Sequence, residues 1–267
     1  MGYVKRKYKT KKVGFSGTLD PFATGCLIVA TGQYPKLFQY LKKTPKAYTA
    51  TLWLGANSQS LDIEHVDSIQ EVPEFSINEI YQALESLRGE LSYYPPKFSA
   101  KKVGGKRAYD LARSGERVEL KPITSTIYDV HLIHYNHPFV HFEVVVSEGT
   151  YVRSLGAMIA DKLGVDATLS SLRRDYEGAF HFENERPLDP LKFLNIPANH
   201  YLGASENLAL GKKLSLKDFE IQEQGIYWVE SETFFSIIEI KESEVKYKLN
   251  RIEKFHQGKE YVSNIYR

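Results

Sequence analysis

The chain has 267 residues, of which 42% are hydrophobic and 25% charged, and its formal net charge is +2. This composition is that of a globular protein and excludes disordered, collagen-like and coiled-coil classes. The longest apolar run, residues 26–30, is far shorter than the ~20 residues of a membrane helix. The single cysteine, Cys26, excludes an intramolecular disulfide and a cysteine-built zinc site. We therefore expect a soluble, cytoplasmic protein with no membrane partner.

Turn and periodicity signals predict alternating strands and helices along the chain. The predicted strands are 26–31, 47–54, 123–135 and 139–147, and the predicted helices are 34–41, 76–87, 107–114 and 150–163. Residues 187–204 resemble a linker. The short strands predicted after it, at 225–229, 234–240 and 245–250, indicate a small all-β appendage.

The helix at 76–87 has the clearest local signals. Ser76 and Glu79 have the spacing of a capping box, which begins a helix. Apolar residues recur at spacings of three and four and predict one buried stripe, formed by Ile77, Ile80, Tyr81, Leu84 and Leu87.

Positive charge is concentrated in residues 88–121, which carry nine basic and four acidic side chains with aromatic residues between them. Cationic segments with exposed aromatics suit a polyanion that has stackable bases. Lysine and arginine face solvent in most proteins, so charge alone leaves nucleic-acid binding and simple solvation equally open.

Residues 14–25 form the most compact motif. Three glycines and the Asp20-Pro21 step predict a constrained turn that can hold a carboxylate at a loop mouth. The alternative is a turn in which Asp20 caps its own backbone and does no chemistry.

A second motif spans residues 144–155, where a strand passes through a tight turn into a helix. This places Arg153 in the first helical turn, where its guanidinium can pair with a carboxylate or hold a phosphate. The alternative is a surface arginine paired with Glu148.

Taken in order, these motifs resemble the TruB family of pseudouridine synthases, which modify uridine 55 in the T-loop of tRNA. Residues 14–25 match the family pattern G-H-x-G-T-L-D-P-x-A-x-G except at Phe15. Residues 88–113 match R-G, P-P-x-Y-S-A-x-K, G, Y and A-R in sequence, although Phe98 replaces the tyrosine. Residues 147–153 match S-x-G-T-Y-[IV]-R and residues 172–174 match L-R-R, so the resemblance covers about residues 4–180.

The resemblance implies an α+β fold, with a mixed, mainly antiparallel sheet flanked by helices and a small, PUA-like C-terminal β domain. The catalytic domain is expected at 1–195 and the RNA-binding β domain at 205–267.

By the resemblance, Asp20 is the catalytic carboxylate, acting on uracil either as nucleophile or as electrostatic partner of a developing cation. Arg153 pairs with Asp20 and is expected to lower its pKa, keeping it ionised. Tyr48 stacks on the target base. The reaction changes no oxidation state, so no cofactor and no metal is expected.

The substrate is expected to be the T-arm of tRNA, bound by a monomeric enzyme with the target nucleotide flipped out. The residues implied in substrate binding are Phe15, Gly17, Thr18, Lys36, Lys101, Tyr109, Arg113 and Leu172.

Three departures from the family pattern bear on activity. Phe15 replaces a histidine; it can stack but cannot hydrogen-bond, which predicts retained activity with weaker substrate ordering. Residues 58–62 replace T-D-T-x-D and keep Asp62 but lose one carboxylate, which predicts a smaller polar network. The usual N-terminal strand and K-P-x-G-x-T-S turn are missing before the basic segment, which predicts either a truncated chain or an unpaired sheet edge.

Two other readings remain open at this point. One is a catalytically impaired tRNA-binding or tRNA-folding protein on the same scaffold. The other is an α+β protein whose basic patch binds a different anion. Under that hypothesis, the occurrence of the motifs in the order of the family is a coincidence.

Overall fold

A computed structural model describes residues 1–99, 102–103, 106–107, 120–182, 185 and 187–254, with the backbone alone at 102–103 and 106–107. The chain divides into two compact units. The sheet unit comprises Gly17–Leu27 and Lys43–Phe182, and the C-terminal unit joins Met1–Ser16 and Ile28–Lys42 to the described residues of 183–265. These boundaries follow compactness; the functional division into 1–195 and 205–267 stays a prediction.

The described strands, in chain order, are β1 (Val13–Phe15), β2 (Thr24–Gly25), β3 (Val29–Thr31), β4 (Lys46–Leu54), β5 (Ala56–Asn57), β6 (Ser68–Ile69), β7 (Gly89–Tyr93), β8 (Lys102–Val103), β9 (Lys106–Arg107), β10 (Ile123–Asn136), β11 (Phe139–Val146), β12 (Ala167–Glu177), β13 (Phe180–His181), β14 (Ala198–Asn199), β15 (Gly225–Glu230), β16 (Phe234–Lys241) and β17 (Glu244–Glu253). The described α-helices are α1 (Gly2–Lys7), α2 (Ile77–Glu85), α3 (Val152–Leu163) and α4 (Ser205–Leu210), with 3-10 turns at Tyr34–Tyr40, Pro190–Phe193 and Leu216–Asp218.

One large sheet organises the sheet unit, in the order β13-β12-β4-β11-β10-β7, with β2 pairing in parallel to β12. The pairs along the main path are antiparallel. Alternate residues of β11, Phe142, Val144 and Val146, are fully buried, as the alternation of the sequence predicts. The predicted α+β class with a mainly antiparallel sheet is confirmed.

The helices α2 and α3 contribute buried side chains to the core of the sheet unit. The capping box of α2 is confirmed, because the Ser76 N–H donates to Glu79 Oε2 (2.8 Å) and the Glu79 N–H donates to Ser76 Oγ (3.3 Å). The predicted end of α3 is also confirmed: Gly164, at φ 72°, has the left-handed conformation that terminates helices.

The predicted buried stripe of α2 is wrong at two positions. Ile77 is 68% exposed and Tyr81 47% exposed, whereas Ile80 and Leu84 are buried. Successive helical residues are about 100° apart, so Tyr81 points away from the stripe on which Ile80 lies. Ala83, which the apolar pattern left out, completes the buried face.

The C-terminal unit has its own sheet, in the order β14-β15-β16-β17. N-terminal residues contribute to its core: Leu37 and Tyr40 pack with Phe235, Ile237 and Ile252. Added apolar side chains of this kind compensate for the small size of a short β domain.

Several boundaries in the C-terminal unit differ from the prediction. The predicted strand 26–31 is reduced to β3, because the Cys26 N–H instead donates to the Arg174 carbonyl. The supposed linker 187–204 contains β14, where buried Asn199 exchanges hydrogen bonds with the backbone of Ile221. The appendage also contains the short helix α4, so it is not purely β.

The predicted helix 107–114 falls outside the described residues except for Arg107, which belongs to β9. Across the part of the chain that the structure describes, no helix combines the length and apolar composition needed to cross a membrane.

Candidate active site

A cavity of about 300 Å³ opens in the sheet unit. It is lined by the loop of residues 17–20, by the turn and helix start at 148–152, and by side chains of β4 and β12. Asp20, Tyr48 and Leu172, which the family resemblance assigns to the site, all line it. The motifs at residues 14–25, 147–153 and 172–174 are far apart in sequence but meet around this one concave site.

Asp20 is held by Arg153 at this cavity. Arg153 Nη2 donates to Asp20 Oδ1 over 2.7 Å and to the Phe98 carbonyl over 2.8 Å. The other end of the guanidinium, Nη1, donates to Asp62 Oδ2 (3.1 Å) and to the Ser60 carbonyl (2.7 Å). The side chain of Arg153 is only 3% exposed, so its four acceptors replace water around a buried cation.

Asp62 contacts Arg153 at this site, although sequence reasoning did not assign it there. It is buried, and the Ser60 hydroxyl donates to its Oδ1 over 2.6 Å, with the Glu64 N–H donating to the same atom over 3.1 Å. The signal available in the sequence was the retained aspartate of the altered T-D-T-x-D segment. Asp62 holds Arg153 on the side away from Asp20.

The pKa of Asp20 lies above its ordinary value, contrary to expectation. Burial of the carboxyl group raises the pKa and outweighs the lowering by the Arg153 charge and hydrogen bond. The nearby negative charge of Asp62 raises it further. The Asp20 carboxyl group therefore holds its proton more tightly than a solvated one.

Tyr48 and Leu172 supply the ring and the apolar wall of the cavity. Tyr48 is 8% exposed on β4, and its pKa is raised by burial, with the Arg174 charge and hydrogen bond acting in the opposite direction. Leu172, on the adjacent strand β12, is 5% exposed. These two side chains offer a face for stacking and a wall that excludes water.

The loop before Asp20 requires glycine at position 17. Gly17 has φ 61°, and a Cβ there would lie 3.2 Å from Lys46 Nζ and 3.3 Å from Arg174 Nη1. Both the backbone conformation and the close approach disfavour a larger residue. The adjacent Thr18 lines the cavity beside it.

The remaining predicted residues are not brought to this cavity by the described structure. Phe15, in β1, is 43% exposed, and Lys36 is exposed in a 3-10 turn; both belong to the C-terminal unit. Lys101, Tyr109 and Arg113 lie outside the described residues.

The alternative pairing of Arg153 with Glu148 is wrong. Glu148 instead forms an ion pair with Lys43, whose Nζ lies 3.3 Å from Glu148 Oε1. Lys46 Nζ lies 3.8 Å from the same oxygen. Among the described residues, no group of three or more histidine, cysteine, aspartate or glutamate side chains is arranged to hold a metal ion.

Comparison with known proteins identifies the family of the chain. Residues 5–152 match the family model described as TruB family pseudouridylate synthase, N-terminal domain. This match covers more than half of the chain. The chain belongs to the TruB family.

Named relatives extend the likeness beyond the matched domain. The tRNA pseudouridine synthase B of Sulfurovum sp. (strain NBC37-1) is 70% identical over 255 residues, which cover 96% of this chain and 92% of the relative. The protein of the same name from Sulfurimonas denitrificans (strain ATCC 33889 / DSM 1251) is 53% identical over 251 residues, covering 94% and 92%.

A solved structure shares the fold. A chain from the crystal structure of a Cbf5-Nop10-Gar1 complex is 20% identical, with a TM-score of 0.62, over 96% of this chain and 80% of that one. This likeness concerns the fold alone.

Proposed function

We propose that this TruB-family chain converts uridine to pseudouridine in tRNA, at position 55 of the T-loop, with Asp20 as the catalytic carboxylate. The observation that carries the proposal is the Asp20–Arg153 ion pair of 2.7 Å at a cavity also lined by Tyr48. Relatives named tRNA pseudouridine synthase B, at 70% and 53% identity over nearly the whole chain, support the substrate class.

The reaction breaks the bond between N1 of uracil and C1′ of ribose, turns the base, and joins C5 to C1′. The hydrogen of C5 leaves as a proton and N1 gains one, so the product is an isomer and no oxidant or metal is required. Cleavage develops positive charge on the ribose. Asp20, as an ionised carboxylate, stabilises that charge or bonds directly to the reacting carbon.

The other groups of the cavity hold the reactants for this step. Arg153 orients the Asp20 carboxylate through Nη2 and is itself held by Asp62. Tyr48 offers its ring to the base and Leu172 excludes water, which strengthens each charge interaction in the site. A base within a folded T-loop is out of reach, so the nucleotide is flipped out at a cost of a few kcal/mol.

The proposal includes the parts of the chain that bind the rest of the RNA. We assign catalysis to 1–195 and RNA binding to the PUA-like region 205–267, with Phe15, Lys36, Lys101, Tyr109 and Arg113 contacting the T-arm. Contacts of this kind to phosphates and loop shape offset the cost of flipping. The enzyme is proposed to act as a cytoplasmic monomer.

Release of tritium from tRNA labelled at C5 of uridine tests the proposal. The parent chain should release the label, and mass spectrometry of the product should map a single pseudouridine to position 55. Asp20→Asn should bind the same tRNA with unchanged affinity and release no label. Binding by the parent without release would instead identify a tRNA-binding or tRNA-folding protein, and conversion at another uridine would overturn the assigned position.

A further inference from the structure

A second charged group borders the cavity, separate from the Asp20–Arg153–Asp62 group. We call it the basic cluster, and it consists of Lys43, Lys46, Glu148, Arg174 and Glu177. Lys46, Glu148 and Arg174 line the cavity itself. The function proposed above uses none of these charges directly.

The register of two neighbouring strands builds the buried half of the basic cluster. Glu177 of β12 lies directly opposite Lys46 of β4, and Arg174 lies opposite Tyr48. Opposed residues of an antiparallel pair share a face and lie close together. Lys46 Nζ is accordingly 3.3 Å from Glu177 Oε1, and Arg174 Nη2 is 3.3 Å from Glu177 Oε2.

The charges of this buried half do not balance. Lys46 and Arg174, at 7% and 1% side-chain exposure, are two cations that share the single carboxylate of fully buried Glu177. An excess buried cation is costly unless an anion approaches it. In the part of the chain that the structure describes, the further anion paired with Lys46 is Glu148, whose side chain is 53% exposed and lies 3.8 Å from Lys46 Nζ and 3.3 Å from Lys43 Nζ.

Glu148 is therefore a solvated anion, on a flexible side chain, that occupies a position suited to a better ligand. A phosphodiester carries one full negative charge and two exposed acceptor oxygens, so it can contact two ammonium groups at once. Exchange of Glu148 for such a group keeps a negative charge beside Lys43 and Lys46 and returns the carboxylate to water.

We propose that the basic cluster binds a phosphodiester next to the target uridine, with Lys43 and Lys46 as its cationic ligands and Glu148 as the internal anion that it displaces. This inference rests on the proposed function, because it takes RNA as the substrate. It adds an electrostatic reason for the direction in which the flipped nucleotide enters.

The two charged groups of the cavity have opposite net charge. Arg153 faces the two carboxylates of Asp20 and Asp62, an excess of one negative charge. The basic cluster has three cations and two carboxylates, an excess of one positive charge. A nucleotide placed with its phosphate at the basic cluster and its ribose towards Asp20 meets favourable charge at both ends, and the reversed orientation meets unfavourable charge at both.

The test compares three T-arm stem-loop RNAs: an unmodified one, and two in which the phosphate on the 5′ or the 3′ side of the target uridine is replaced by an uncharged methylphosphonate. Each is assayed for KM, kcat and Kd with the parent, Lys43→Gln and Glu148→Gln. Lys162→Gln, which removes an exposed lysine near the end of α3, is the matched control. Lys43→Arg keeps the charge and controls for loss of packing.

On unmodified RNA, Lys43→Gln should raise KM and Kd by about 5- to 10-fold and lessen the salt dependence of Kd, as loss of one phosphate contact does. Glu148→Gln should lower KM several-fold, because the competing anion is gone, and kcat should change little. One of the two methylphosphonate RNAs lacks the phosphate charge that the basic cluster binds. On that RNA, the parent and Lys43→Gln should have equal KM and Kd. Lys162→Gln should match the parent on each RNA, and Lys43→Arg should keep the dependence of Kd on the bound phosphate charge that Lys43→Gln loses.

The inference is overturned if Lys43→Gln weakens binding by the same factor on all three RNAs, since Lys43 would then act elsewhere or through folding. It is also overturned if Glu148→Gln weakens binding to unmodified RNA. Failure of the proposed function has a different signature, the absence of tritium release by the parent, and the Kd comparison still decides the basic cluster in that case.

Discussion

Arg153 Nη2 donates a 2.7 Å hydrogen bond to Asp20 Oδ1 and so joins the first turn of α3 to the loop of residues 17–20. These two residues are separated by 133 positions in the chain. The guanidinium is planar, and Nη1 donates to Asp62 and to the Ser60 carbonyl while Nη2 also donates to the Phe98 carbonyl. It therefore holds the Asp20 carboxylate in one orientation.

The planar geometry of Arg153 predicts that lysine cannot replace it. A lysine ammonium is a single point charge and cannot reach Asp20 and Asp62 together. We expect Arg153→Lys to lower kcat by about 100-fold or more, the usual loss when an oriented charge partner in an active site is removed. Asp62→Asn, which leaves the Asp20 contact in place, should lower kcat less. Tritium release under saturating tRNA measures both values, and equal losses would contradict the positioning role of Asp62.

The raised pKa of Asp20 predicts that this residue destabilises the folded protein at neutral pH. The folded chain binds the Asp20 proton more tightly than the unfolded chain, whose pKa is near the ordinary 3.8. The free energy of unfolding therefore falls as the pH rises from the pKa of Asp20 in the unfolded chain to its pKa in the folded chain. Asp20→Asn should raise the melting temperature at pH 7, and the gain should shrink as the pH falls towards 3.8.

Thermal melts at a series of pH values measure this effect. Asp161→Asn, on an exposed position of α3, is the control and should leave the melting temperature unchanged. A lower melting temperature for Asp20→Asn at pH 7 would show that its pairing with Arg153 contributes more than its burial costs.

A comparison of two glycines with the same backbone conformation distinguishes backbone strain from steric crowding at the cavity. Gly17 and Gly32 have φ 61° and 60°, but a Cβ on Gly32 meets no atom within 4 Å. Gly32→Ala should cost about 1 kcal/mol in the free energy of unfolding, the penalty of a left-handed alanine. Gly17→Ala should cost more and should also lower kcat/KM, because its methyl group displaces Lys46 and Arg174. Denaturant unfolding and steady-state kinetics test this, and equal effects on stability would contradict the crowding at Gly17.

Local patterns in the sequence were sufficient for several elements. The capping box at Ser76, the alternation along β11 and the glycine that ends α3 depend only on residues a few positions apart. The resemblance to the TruB family also predicted that Arg153 pairs with Asp20. The buried stripe of α2 was misjudged because apolar character alone does not tell which residues face the sheet.

The sequence by itself therefore determined the class of fold, the main helices and strands, and the carboxylate and guanidinium motifs. Only the tertiary structure decided that Asp62 holds Arg153, that Glu177 pairs with Lys46, and that residues 28–42 contribute to the C-terminal core. The physical reason is range: periodicity and caps act over a few residues, whereas these contacts depend on strand register and packing between segments far apart in the chain.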